Sequence, residues 1–183
     1  MGSVFLAIAI VVCARWFFRS DMSTAVAEAL AHLKGKGLFH FVHQAGPQDT
    51  EMVRDAYARH GIAGLVKPFF TDMARQYREA DLIVCRAGAT TIAEVTAMGK
   101  GVIFIPFPFA ADNHQALNAG MLTDKGASET ILQQDLTGAL LAERIAYYAA
   151  NPDALYQMAV KARMLGKPDA ARLIVSSCYR LCG

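Results

Sequence analysis

Residues 80–119 read ADLIVCRAGATTIAEVTAMGKGVIFIPFPFAADNHQALNA. Two short apolar runs in this stretch, Leu82 to Cys85 and Val102 to Ile105, are rich in Ile and Val, as is typical of strands buried on both faces of a parallel sheet. Between them, the small-residue turn Arg86 to Thr91 leads into a helix predicted from Ile92 to Met98, which ends at a glycine. Strand, helix and strand in this order predict a βαβ unit.

The same alternation of apolar runs and amphipathic segments continues on both sides of this unit. Helices are predicted over 21–33, 49–60, 71–80, 114–123, 136–150, 153–165 and 169–181, and further strands over 38–42, 65–69 and 130–132. The pattern predicts a doubly wound α/β domain with a mainly parallel, Rossmann-like sheet of about six strands and a helical C-terminal tail.

The N-terminal segment, residues 1–20, is hydrophobic and atypical. Its run from Val4 to Ala14 is too short for a membrane helix, which needs roughly 20 apolar residues. No basic residue precedes the run, so a buried first strand followed by an altered loop is favoured over a signal peptide.

Composition excludes several classes of function. The chain has 183 residues, and 18 Lys and Arg against 16 Asp and Glu give a net charge of +2, so a nucleic-acid partner is not expected. No C-x-x-C pair or H-E-x-x-H motif occurs, which argues against a metal site or a disulfide framework. The four cysteines are therefore interpreted as the reduced thiols of a cytosolic protein: Cys13, Cys85, Cys178 and Cys182.

A ligand of such a fold binds where the strands end, so the loops after Val42, Phe69, Cys85 and Ile105 are the candidates. The strongest is the turn at Gly88 with the helix start that follows. Its backbone N–H groups could bind a phosphate, and Glu94, one turn on, could accept both hydroxyls of a ribose. A structural alternative stays open, because Thr91-x-x-Glu94 also fits a capping box and Gly88 also fits a tight turn.

Three further groups fall on the same edge. His114, Gln115 and Asn118 at a helix start offer the neutral donors and acceptors that a sugar needs, although such residues are also ordinary solvated caps. Phe70 could present its backbone or its ring to a base, or belong to the core, and His43 could be an ordinary loop histidine. Their convergence on one sheet edge favours a ligand site.

These segments closely resemble the donor domain of the UDP-N-acetylglucosamine transferases of glycosyltransferase family 28, which have the GT-B fold. The resemblance runs from Thr24 to Arg180 and makes residues 21–183 a UDP-sugar donor-binding domain. It implies no catalytic residue, metal or cofactor in this chain, since UDP-N-acetylglucosamine is a substrate. The resemblance implies that the Phe70 backbone binds uracil, that Ala89, Thr90 and Thr91 bind the diphosphate, that Glu94 binds the ribose, and that His114, Gln115 and Asn118 face the sugar. The neighbouring Gly88, Ile92 and Ala93 are also expected to be substrate-binding.

The implied reaction is an inverting transfer of N-acetylglucosamine to a lipid-linked muramyl-pentapeptide in peptidoglycan synthesis. The family binds that acceptor through an N-terminal domain that is missing here, and it works peripherally on the cytoplasmic face of the membrane. The chain also departs from the family at Ala87, where a serine is usual, and at Ala14 to Arg19, where a glycine-rich turn is usual. We therefore expect no turnover by this chain alone, and a truncation or frameshift that makes residues 1–20 non-native.

Two other hypotheses remain. The chain could be a UDP-N-acetylglucosamine-binding subunit that needs a separate membrane acceptor subunit. It could also be a fragment of a UDP-N-acetylglucosamine epimerase, which shares the fold but should carry catalytic carboxylates and a second domain.

Overall fold

The fold was analysed in a computed structural model that describes residues 5–11, 21–35 and 38–182. The strands are β1 (Phe5–Val11), β2 (Leu38–Gln44), β3 (Ala63–Lys67), β4 (Leu82–Cys85), β5 (Gly101–Phe104) and β6 (Glu129–Thr130). The helices are α1 (Asp21–Leu33), α2 (Gly46–His60), α3 (Met73–Glu79), α4 (Ala89–Met98), α5 (His114–Thr123), α6 (Gly138–Ala150), α7 (Pro152–Leu165) and α8 (Ala170–Cys182). Short 3-10 turns at Ala111–Asn113 and Gln133–Asp135 precede α5 and α6.

The six strands form one parallel sheet in the order β3-β2-β1-β4-β5-β6. The predicted first strand is therefore confirmed, and it lies in the middle of the sheet. The chain builds outward from β1 in one direction and then restarts at β4 in the other. In this topology the winding reverses between β1 and β4, which is where the loops at the carboxyl edge leave a crevice.

Side chains of the central strands alternate between two apolar cores. Leu82 and Val84 of β4 belong to one core and Ile83 and Cys85 to the other, and all four are buried. The first core lies against α1, α2 and α6, and the second lies against α4 and α5. Because both faces are apolar, the sheet is stable only with helices on each side.

The predicted doubly wound sheet and C-terminal helices are confirmed, and the bounds of α1, β4 and α5 agree with the prediction. Other boundaries differ by one to three residues, and three of these differences concern the candidate loops. Helix α2 starts at Gly46 because Pro47 suits the first helical turn, and α4 starts at Ala89 because small residues also fit there. Strand β3 lies two residues earlier than predicted. The predicted altered loop before residue 21 falls outside the described residues.

We predict that Gly138→Ala lowers the free energy of unfolding by about 1–3 kcal/mol or more, because an added methyl group overpacks the α1–α6 contact. A Cβ at Gly138 would lie 2.4 Å from Glu28 Cβ and 2.9 Å from the Ala29 amide nitrogen. Urea denaturation measures the change. The control is Gly120→Ala in α5, where nothing lies within 4 Å and alanine should stabilise the helix by about 0.5–1 kcal/mol. Equal stability of Gly138→Ala and the wild type would contradict the packing argument.

Candidate functional site

The N-terminus of α4 lies at the carboxyl edge, directly after the central strand β4. The first hydrogen bond of the helix runs from the Ile92 amide to the Gly88 carbonyl, at 2.9 Å. The amides of Ala89, Thr90 and Thr91 precede that bond and have no acceptor within the helix. In the described part of the chain, no side-chain hydrogen bond caps this end. Three N–H groups and the positive end of the helix dipole therefore converge where an anion can bind.

The capping-box interpretation of this segment is wrong. Because α4 begins at Ala89, Thr91 is the third helical residue and Glu94 the sixth, so neither occupies its capping position. Glu94 is exposed, and no hydrogen bond or ion pair joins it to another residue in the described part of the chain. No contact among the described residues therefore requires a carboxylate at this position.

The tight-turn interpretation of Gly88 is also wrong. Its backbone has a φ of −68°, which any residue adopts, rather than the left-handed value that favours glycine. Among the described residues, an added Cβ would meet only Thr91 Oγ1, at 3.9 Å. No described residue therefore fills the space in front of Gly88.

Arg86 connects two loops of this edge. Its role was not predicted from the sequence. Its Nη1 donates to the carbonyls of Ile105 and Pro106, at 3.1 and 3.2 Å, and its guanidinium lies 5.5 Å from the ring centre of Phe107. Burial lowers the pKa of Arg86, while the charge of Asp21 opposes that shift. A charged residue directly after a buried strand was the signal that could have identified it. The structure thus adds a half-buried cation beside α4.

The loop after β5 is fixed by the side chain of Gln115. Its Oε1 accepts a hydrogen bond from the Phe107 amide at 3.0 Å, which uses one of the two lone pairs of this oxygen. His114 is exposed and Asn118 half-buried one turn further along α5. Asp112 and Asn113, just before the helix, have φ values of 49° and 54°, which is left-handed backbone unusual for residues other than glycine. The predicted sugar-binding residues therefore follow a tight backbone turn.

The loop after β3 holds Phe70 in the core. Its ring is 3% exposed, and its amide donates to Gln44 Oε1 at 2.9 Å. The ring therefore cannot stack on a base, which removes one of the two ligand roles considered from the sequence. The backbone carbonyl of Phe70 accepts no hydrogen bond from another described residue.

His43 is not a loop residue, as the sequence had suggested, but the buried penultimate residue of β2. Neither ring nitrogen has a hydrogen-bond partner among the described residues, and the ring packs edge-on against Tyr57 with 6.1 Å between centroids. Burial lowers the pKa of His43 to about 3. The residue is thus a neutral part of the core.

The described residues carry neither a metal-binding cluster nor a membrane-spanning helix. They contain no group of three or more His, Cys, Asp or Glu side chains placed to hold a metal ion. None of their helices combines the length and apolar character that crossing a membrane requires.

The strands form a parallel sheet in the order given above, and the N-terminus of α4 lies where the winding of the sheet reverses. These two features define the class of Rossmann-like nucleotide-binding domains. Within that class, the chain belongs to glycosyltransferase family 28: residues 19–174 match the C-terminal domain of the family.

Individual relatives agree with this assignment. The chain is 50% identical over 157 residues to the UDP-N-acetylglucosamine--N-acetylmuramyl-(pentapeptide) pyrophosphoryl-undecaprenol N-acetylglucosamine transferase of Geobacter sp. (strain M21), with 85% of this chain and 42% of that protein covered. The crystal structure of Acinetobacter baumannii MurG superposes with a TM-score of 0.84 at 35% identity, over 96% of this chain and 50% of that one. The chain thus spans about half the length of these relatives or less.

A third similarity bears on the epimerase hypothesis. A putative UDP-N-acetylglucosamine 2-epimerase from Listeria monocytogenes superposes with a TM-score of 0.69 over 96% of this chain and 45% of that one. The identity is 16%, so this likeness shows a shared fold alone.

The buried His43 gives a pH-dependence of stability. Its pKa in the folded chain is about 3, below the ordinary 6.5, so the unfolded chain binds the proton first as the pH falls. We predict that this residue's stabilising contribution is complete above about pH 6.5 and is lost towards pH 3, by up to about 1.4 kcal/mol per pH unit. Urea denaturation from pH 7 to 4 should show a shallower slope for His43→Phe.

The matched control is His32→Gln, which removes an exposed histidine of α1 and should keep the wild-type slope. If His43→Phe and the wild type lost stability in parallel, the histidine would not be the source of the dependence.

Proposed function

We propose that this chain is the donor-binding half of an inverting glycosyltransferase that moves N-acetylglucosamine from UDP-N-acetylglucosamine to a lipid-linked muramyl-pentapeptide. The observation that carries the proposal is that, among the described residues, the first amides of α4 and the exposed Glu94 one turn along have no hydrogen-bond partner. Family membership and the names of the relatives support the choice of donor and acceptor.

In this proposal, the diphosphate lies on the amides of Ala89, Thr90 and Thr91. Negative charge on the diphosphate grows as the sugar leaves, and fixed N–H donors stabilise that charge without having to reorient. Glu94 lies about 6 Å further along the helix axis than Thr90, at about 1.5 Å per residue. That offset separates the carboxylate from the phosphates and brings it to the ribose, whose two hydroxyls are hydrogen-bond donors.

The sugar is assigned to α5. Asn118 can donate and accept through a carboxamide that makes no hydrogen bond to another described residue, whereas one lone pair of Gln115 Oε1 is already used by the Phe107 amide. His114 lies at the exposed start of the same helix. Uracil is assigned to the backbone at Phe70.

The remaining functions of the whole protein are assigned outside this chain. We assign no catalytic acid or base to the described residues. The lipid-linked acceptor, and with it the peripheral location at the cytoplasmic face of the membrane, is proposed to involve the part of the relatives that this chain does not cover.

Ligand binding tests the proposed role of the Glu94 carboxylate. Glu94→Ala should weaken binding of both UDP and UDP-N-acetylglucosamine by about 1–3 kcal/mol, because charge-assisted hydrogen bonds to the ribose are lost. Isothermal titration calorimetry measures both affinities, and the melting temperature should hardly change. Glu143→Ala, which removes an exposed carboxylate on α6, is the control. A destabilised Glu94→Ala chain with unchanged UDP affinity would mean that Glu94 has a structural role.

A comparison of UDP-N-acetylglucosamine with UDP separates contacts to the sugar from contacts to the nucleotide. Asn118→Ala should weaken UDP-N-acetylglucosamine by about 1 kcal/mol and leave UDP unchanged, since the side chain is assigned to the sugar alone. Gln115→Ala should weaken both ligands, because Gln115 also holds the Phe107 loop. Equal losses for the two ligands in Asn118→Ala would refute the assignment of Asn118.

A further inference from the structure

Two side chains fix the loop after β5, one from each neighbouring element. Arg86, directly after β4, donates from Nη1 to the carbonyls of Ile105 and Pro106, at 3.1 and 3.2 Å. Gln115, in the first turn of α5, accepts from the Phe107 amide at 3.0 Å. The loop is therefore fastened to the end of β4 and to the start of α5.

These two side chains hold opposite ends of one peptide group. The carbonyl of Pro106 and the amide of Phe107 belong to the same planar trans unit, in which the C=O and N–H bonds point in opposite directions. Arg86 binds the oxygen of this unit, and Gln115 binds its N–H group. Because the unit is rigid, a rotation at one end moves the other end as well. A cationic donor on the oxygen also polarises the unit and strengthens its N–H group as a donor.

This peptide group connects the two parts of the proposed site. Arg86 stands three residues before Ala89, the first residue of the helix assigned to the diphosphate. Gln115 lies on the helix assigned to the sugar.

The pairing of β4 with β5 does not depend on Arg86. The amide of Ile105 donates to the carbonyl of Cys85 at 2.9 Å, and every residue of both strands is buried. Loss of the guanidinium should therefore release the peptide group without separating the strands.

From this arrangement we infer that Arg86 is a positioning residue for the donor sugar. By holding the Pro106 carbonyl, it fixes the Phe107 amide, and that amide orients the carboxamide of Gln115. The NH₂ group and the second lone pair of the carboxamide are then held in place for the sugar. The inference rests on the proposed function, because that proposal assigns the sugar to α5.

Two other roles for Arg86 give different results. If it only stabilised the fold, its loss would weaken UDP and UDP-N-acetylglucosamine in proportion. Its charge could instead attract the diphosphate directly, since no ion pair neutralises it among the described residues. Loss of that attraction would weaken UDP more, because the terminal phosphate of UDP carries more negative charge than an esterified phosphate. Only the positioning role weakens UDP-N-acetylglucosamine more than UDP.

Isothermal titration calorimetry on the full 183-residue chain measures both dissociation constants. Arg86→Met removes the donors and should lower the affinity for UDP-N-acetylglucosamine relative to UDP by about fivefold, the factor that roughly one hydrogen bond supplies. Arg86→Lys keeps the charge and one donating nitrogen but loses the planar group. It should lower the ratio in the same direction by about twofold, and it decides the question if Arg86→Met does not fold.

A double-mutant cycle tests whether Arg86 acts through Gln115. Gln115→Ala should weaken UDP-N-acetylglucosamine more than UDP. Adding Arg86→Met to this variant should lower the ratio no further, because the carboxamide that Arg86 orients is gone. Two independent contacts would instead multiply their losses.

Arg144→Met is the matched control. Arg144 is also half-buried and also lies against an aromatic ring, 4.5 Å from the ring centre of Tyr147. Its hydrogen bonds go to Glu129, the first residue of β6, rather than to the loop after β5. The variant should lower the melting temperature and leave the affinity ratio unchanged.

The possible outcomes separate the inference from the proposed function. An unchanged or raised ratio in Arg86→Met, or multiplied losses in the double variant, would overturn the inference and leave the proposed function intact. If Arg86→Met does not fold, an unchanged ratio in Arg86→Lys would overturn it equally. If the wild type bound neither nucleotide, the proposed function itself would fail, and the inference with it.

Discussion

The structure depends on the burial of its central parallel strands on both faces. Every residue of β4 and β5 is buried, and their side chains alternate between two apolar cores. Neither face can meet water, so each connection between strands has to carry a helix that covers one face. The loops that follow the strands are consequently gathered at one edge. The packing of the sheet therefore determines where the candidate site lies, independently of the polar residues.

At that edge, side chains rather than further secondary structure hold the loops in place. Gln44 binds the backbone of Phe70, Gln115 binds that of Phe107, and Arg86 binds the two carbonyls that follow β5. Each contact satisfies backbone groups that a loop would otherwise leave to water. Because these backbone groups are already ordered, ligand binding does not have to order them, which lowers the entropic cost of binding. The amides at the start of α4 are the exception, since none of the described residues accepts a hydrogen bond from them.

The fold could be predicted from the sequence because its signals are local. Apolar runs mark the strands, and Gly61 and Gly99 end α2 and α4 in the left-handed conformation that only glycine adopts readily. The edge that carries the site followed from topology. The state of individual groups did not, because it depends on contacts between distant residues. The sequence alone does not show that Gln44 accepts a hydrogen bond from the amide of Phe70. Nor does it show that small residues let α4 begin at Ala89, two residues before Thr91, which excludes a capping box.

Electrostatics limits which ligand the start of α4 can hold together with Glu94. If a phosphate bound at the start of α4 lay about 6 Å from the Glu94 carboxylate, the axial rise from Thr90 to Glu94, the repulsion would be about 3 kcal/mol at an effective dielectric constant near 20. Each hydrogen bond that the carboxylate accepts returns about 1.5–3 kcal/mol. One such bond at best balances the repulsion, whereas two exceed it. In the proposed site, Glu94 would favour a nucleotide with both ribose hydroxyls free over a deoxynucleotide or a bare phosphate. A carboxylate that weakens anion binding in general would thus make the proposed site selective for a ribonucleotide.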